Sequence, residues 1–173
     1  MNQLDQLWAG WRSGYIADDE ARLSPEPGLS LFESIEQSEL DDSETFIVHR
    51  GELTFVVLNA YPYSNGHMLV MPRRAVPDLA GLSEDEHREM WDTVRTAVAV
   101  LDAAFAPDGV NIGINLGVGA GAGLPEHLHV HCVPRWSGDT NFMTSTANVR
   151  VLPESLIDTW EKLRACWGTV SGG

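Results

Sequence analysis

Five short stretches along the chain alternate or run apolar in the manner of strands, and two longer ones repeat with helical spacing. Thr45 to Arg50 and Leu53 to Leu58 read as two strands joined around Gly51-Glu52, a hairpin signal. His67 to Met71, Val110 to Leu116 and His127 to Val133 read as three more. Ser83-x-x-Glu86 is a capping box that opens a long helix. Its predicted apolar face is Met90, Trp91, Val94, Ala97, Val98, Leu101 and Phe105, and Pro107-Asp108-Gly109 ends it. Pro153 suits the first turn of a final helix with the stripe Leu156, Trp160, Leu163 and Trp167. Residues 2–12 read as a short helix and residues 17–30 as a polar connection. The expected fold is α+β, an antiparallel five-stranded sheet packed on one long helix. One domain is expected over residues 1–173. It comprises an N-terminal helix and connection (1–30), a core sheet with the long helix (45–133) and a C-terminal segment and helix (134–173).

Composition narrows the function classes. A chain of 173 residues with 43% hydrophobic content can bury a real core and is not compositionally disordered. No apolar run approaches the ~20 residues that span a bilayer. The start has acidic residues and tryptophans rather than a basic, apolar leader, so no signal peptide and a cytoplasmic setting are expected. Cys132 and Cys166 are the only cysteines, and both are expected as free thiols. A net charge of −14 argues against long nucleic acid or anionic membrane as a partner.

The chemistry concentrates in His127-Leu128-His129-Val130-His131-Cys132-Val133, which holds three of the six histidines. In a strand their imidazoles share one face, while Leu128, Val130 and Cys132 point into a core. His127 and His131 are then ~13 Å apart, so His129 is the expected central actor. Two alternating histidines could also ligate zinc from one strand. The preceding Gly117-Val-Gly-Ala-Gly-Ala-Gly123 run can bring N–H groups close to an anion, or serve as a plain flexible connection. Arg73, Arg74 and Arg135 flank the motif strands as the available cations, or as solvated surface charge.

Residues 127–133 resemble the histidine triad family of nucleotide hydrolases and transferases, whose motif is His-φ-His-φ-His-φ-φ with φ apolar. The segment Asn59 to Pro72 is similar to the family's earlier Pro-Gly-His segment, with Asn65 where proline is usual. The stretches Leu7 to Ile16 and Pro134 to Phe142 resemble the bacterial diadenosine tetraphosphate phosphorylase branch, and the resemblance spans roughly residues 4–165. It implies a homodimer in which two sheets join. It also implies a nucleotidyl-histidine intermediate on His129, with His127 and His131 donating to phosphate oxygens and His67 supporting the triad. Asn59 would meet the ribose and Asn115 the phosphate, with N–H groups around Gly123 replacing a side chain that relatives place there. Arg135, Trp136 and Asn141 are expected at the substrate, although Trp136 could equally be a packing residue.

The expected substrate is a dinucleoside polyphosphate, most simply diadenosine tetraphosphate cleaved with inorganic phosphate to ADP and ATP. Hydrolysis of dinucleoside polyphosphates or nucleoside phosphoramidates is the alternative, and non-catalytic nucleotide or metal binding a third. Many relatives carry Cys-x-x-Cys near the N-terminus and bind structural zinc. Here Ser30-Leu31-Phe32-Glu33 stands in that place, so no resident metal is expected. His49 and His87 then read as a strand-end and an exposed helical histidine. Mg²⁺ or Mn²⁺ could still accompany the nucleotide.

Overall fold

The computed structural model describes residues 25–139 and 153–172. The predicted helix at 2–12 lies outside them. Two short helices precede the sheet, α1 (Leu31–Gln37) and α2 (Asp42–Thr45). The strands are β1 (Ile47–Arg50), β2 (Thr54–Leu58), β3 (Met68–Pro72), β4 (Gly109–Ile114) and β5 (Val130–Arg135). Helix α3 (Glu84–Phe105) lies between β3 and β4, and α4 (Leu156–Ser171) follows β5. The strand order is β1-β2-β3-β5-β4, with every neighbouring pair antiparallel. No helix among the described residues is long and apolar enough to cross a membrane.

Period-two alternation gives the sheet two different faces. Val56, Met68, Val70, Leu128, Val130 and Cys132 meet Met90, Val94, Ala97 and Leu101 of α3 and Leu163 and Trp167 of α4. Ile47, Phe55, Val57, Leu69 and Met71 face the other way, against Phe32 and Ile35 of α1. Among the described residues, the short helix α1 covers part of this second face.

Several predicted details change. Neither α1 nor α2 was expected, although Ser30 and Glu33 form a capping box readable in the sequence. The apolar stripe of α3 runs through Met90, Thr93, Val94, Ala97, Val100 and Leu101. Trp91 sits one residue, about 100°, off that stripe and is 40% exposed. Pro153 lies upstream of α4. Ser155 caps it instead, its hydroxyl accepting from the Asp158 N–H. Trp167 is buried in the intramolecular core, and the Trp160 indole donates to the Ile47 carbonyl.

The triad ladder also begins later than predicted. β5 starts at Val130, and its pairing with β3 covers Val70 to Met68 against Val130 to Cys132. Pro72 at the end of β3 has no N–H with which to extend that ladder. Residues 127–129 keep the alternation nonetheless, held by the Leu128 N–H on the Val76 carbonyl.

Candidate active site

The partly covered face of the sheet contains a cleft of about 640 Å³. Phe32 and Ile35 of α1, Phe46 and Leu69 give it apolar walls, while His129, His131, Asn59 and Asn115 supply polar groups. Such a mixture suits a ligand with a flat apolar part and a polar part. Gly121 and Gly123 of the glycine loop border it. Gly121 has φ +89°, a conformation that glycine adopts without strain.

Donor and acceptor logic assigns the histidine tautomers. His129 Nδ1 lies 2.8 Å from the His127 carbonyl oxygen. A carbonyl only accepts, so Nδ1 carries the proton and Nε2 keeps a bare lone pair. His129 borders the cleft. The Tyr63 N–H donates to His67 Nδ1 at 3.1 Å. Its Nε2–H must therefore donate to His131 Nδ1 at 2.9 Å. His131 in turn carries its proton on Nε2. The Asn115 Nδ2 3.5 Å away is also a donor and cannot accept it, so this N–H stays available as a neutral donor in the cleft. Burial, with the neighbouring His129 adding to it, pushes the His131 pKa down to about 4. The Tyr63 ring covers this pair, 4.7 Å from His67 and 6.0 Å from His131.

His127 differs from the phosphate donor expected of it. Its Nε2–H donates to the Pro72 carbonyl at 2.8 Å, and its Nδ1 accepts from the Ser30 hydroxyl at 2.7 Å. The residue is wholly buried, and burial lowers its pKa. Both ring nitrogens are thus engaged inside the protein. Ser30 occupies the place expected for a zinc-binding thiolate and forms a hydrogen bond there. Among the described residues, no three or more His, Cys, Asp or Glu are grouped to hold a metal ion.

The other predicted residues divide. Asn59 lies beside the cleft, its Oδ1 accepting from the Tyr61 N–H at 2.9 Å. Asn115 and Gly123 border it too. Arg73 pairs with buried Glu36, and Arg74 makes two bonds to Glu86. Those Arg74 contacts hold the Glu86 carboxyl down at about 2. Arg135 pairs with Asp139 and Asn111. Trp136 packs edge-on against Phe105 at the end of α3, with ring centroids 6.5 Å apart. None of these four lines the cleft. Asn141 lies outside the described residues. His49 stacks on Trp167 at 4.8 Å, and exposed His87 accepts from the Trp91 indole. Ser30 and Phe32 were read from sequence only as part of the stretch that replaces a zinc-binding Cys-x-x-Cys, and Tyr63 was not named as a site residue. Only the Ser30-Glu33 capping box left a readable signal there.

Comparison with known proteins places this arrangement. The AP-4-A phosphorylase of Mycobacterium tuberculosis is 40% identical over 167 residues, covering 96% of this chain and 86% of that protein. An asymmetrical bis(5'-nucleosyl)-tetraphosphatase of Schizosaccharomyces pombe is 39% identical over 93 residues, covering 54% of this chain and 50% of that protein. A hypothetical histidine triad nucleotide-binding protein from Sulfolobus tokodaii superposes with a TM-score of 0.66 at 27% identity, covering 81% of this chain and 93% of that one. The family model of the HIT domain matches residues 41–138. With that match, and 40% identity to a relative over 96% of its length, this chain belongs to the HIT domain family.

Proposed function

We propose that this chain is a cytoplasmic nucleotidyltransferase that converts diadenosine tetraphosphate and inorganic phosphate to ADP and ATP. The observation that carries the reading is the His129 tautomer. Nδ1–H is spent on the His127 carbonyl, which leaves the Nε2 lone pair for attack. Nε2 attacks the phosphorus next to one adenosine. The P–N bond forms as the P–O bond to the second phosphate breaks, and ATP leaves. Phosphate then attacks the adenylyl-histidine, so ADP leaves and His129 is restored. The His131 Nε2–H supports the developing charge on the phosphate oxygens, and N–H groups near Gly123 add donors. The phosphorylase name of the mycobacterial relative supports phosphate rather than water as the acceptor.

Asn59 orients the ribose, and the apolar wall of Phe32, Phe46 and Leu69 takes the base. No resident metal is required, while Mg²⁺ or Mn²⁺ can travel with the nucleotide. The same reading includes a homodimer, because β4 is an outer strand of the described sheet and exposes Ile112 at 46%. Sedimentation at micromolar concentration tests that part, and a monomer would remove it.

The deciding experiment incubates the protein with diadenosine tetraphosphate, with and without phosphate, and separates the products. ADP plus ATP formed only with phosphate is expected. AMP plus ATP, or two ADP, without phosphate would make the protein a hydrolase. No turnover on any nucleotide, with zinc retained, would make it a binding protein.

A further inference from the structure

His127 turns neither ring nitrogen to the cleft, yet its backbone carbonyl sets the tautomer of His129. That carbonyl belongs to residues 127–129, which precede the β3–β5 ladder and are not held by strand pairing. Their anchors are two backbone bonds, His127 N–H to the Leu124 carbonyl and Leu128 N–H to the Val76 carbonyl, and the two ring bonds of His127. One ring bond reaches the end of β3 at Pro72. The other reaches Ser30, which is 97 residues away in sequence and starts α1.

We propose that Ser30 is a positioning residue for His129, acting through His127. The proposal rests on the reading of His129 as nucleophile. The Ser30 Oγ accepts the Glu33 N–H at 3.1 Å, which directs its own proton toward His127 Nδ1. Glu33 returns the bond, accepting from the Ser30 N–H at 2.8 Å and from the Ala75 N–H at 2.9 Å. It thereby ties the first turn of α1 to the segment just after β3. Burial alone would raise the Glu33 carboxyl, but these N–H groups and the Ser30 side chain hold it below its ordinary value. Phe32, two residues on, lies edge-on to both the His127 and His129 rings at 5.4 Å.

Removing the hydroxyl leaves a buried Nδ1 lone pair without a donor. The other tautomer would aim the Nε2 lone pair at the Pro72 carbonyl, which repels it. The ring must turn or exchange tautomers, and the carbonyl that holds His129 loses its seat. The base wall does not depend on that carbonyl, so substrate binding should persist.

The test is Ser30→Ala, with Ser30→Thr as the conservative partner that keeps a hydroxyl. Steady-state kinetics on diadenosine tetraphosphate plus phosphate should show kcat lowered about ten-fold in Ser30→Ala. KM should stay within about two-fold. Ser30→Thr should recover most of the lost kcat. Nitrogen-15 imidazole spectra of the free protein should show His127 protonated on Nε2 and His129 on Nδ1 in the wild type. Ser30→Ala should move both toward tautomer exchange. If Ser30→Ala unfolds, Ser30→Gly, milder at a helix start, reads the same quantities. Wild-type kcat with unchanged spectra, or a kcat loss that threonine fails to recover, overturns the proposal. The spectra need no substrate, so they test the Ser30 link even if His129→Ala retains turnover, an outcome that would instead remove His129 as nucleophile.

Discussion

The two faces of one sheet do different work. Against α3 and α4 the side chains are hydrocarbon and close-packed, with Val56, Met68, Val70 and Leu101 at 2% exposure or less. Against α1 the same strands carry Phe55, Leu69 and Met71, but also three histidines, a short helix and open volume. Hydrocarbon burial at roughly 25 cal/mol per Å² makes the first face the chief source of stability. The second face gives up part of that burial and gains a cleft, and burial there lowers the His131 pKa. Substitutions on the first face should therefore cost folding and leave kinetics alone, and those at the cleft histidines of the second should change kinetics.

The sharpest break of that comparison is at His129. His129→Ala should retain the fold and nucleotide binding but lose turnover to below about a hundredth of wild type. Acid-quenched wild-type enzyme should carry an acid-labile nucleotidyl adduct on this residue. Activity above that level would show that the cleft works without it.

Leu163→Ala tests the opposite face. Leu163 is fully buried in the core on α4. The substitution should cost about 2–5 kcal/mol in urea unfolding. KM and kcat of the protein that remains folded should be unchanged. A large kinetic effect with little loss of stability would show that the two faces are not separable.

Acid should act on the cleft face through His131. The His131 pKa lies at about 4 in the folded protein, below the ordinary 6.5. Between those values the unfolded chain binds the extra proton, so the His131 contribution to stability falls as pH drops from 6.5 toward 4 and levels off below. The loss is about 3 kcal/mol, taken from the shift in pKa. Denaturant midpoints at several pH values should show it, and His131→Asn should flatten the curve. An unchanged slope in that variant would assign the acid sensitivity elsewhere.

The smallest expected effect is at Trp136. Its indole packs on Phe105 and does not line the cleft. Because it is only half-buried, Trp136→Ala should cost about 1–2 kcal/mol, less than a fully buried tryptophan. Michaelis constants should not move. Weakened substrate or phosphate use at an unchanged melting temperature would return Trp136 to the site.

Local patterns were legible because they depend on near neighbours. Alternation placed Leu128, Val130 and Cys132 in the core and the three histidines opposite them. The Ser83 capping box and the stripe from Met90 to Leu101 marked α3. The spacing in residues 127–133 marked the chemistry and the family.

Tertiary contacts decided the rest. Pattern alone would put His49 on the same face as Ile47, but the register shifts between them. His49 therefore sits opposite Val56 and stacks on Trp167 at the helical face. Three equally spaced histidines look alike in sequence. Only their partners from distant segments, Ser30 and Pro72 for His127 and His67 for His131, gave each ring its tautomer. Arg73, Arg74 and Arg135 offered three cations beside the motif, and folding matched each with a carboxylate. Strand period is a property of consecutive residues and can be read along the chain. A proton's place on a ring, or a charge's partner, depends on which distant segments folding brings within about 3 Å, the reach of a hydrogen bond.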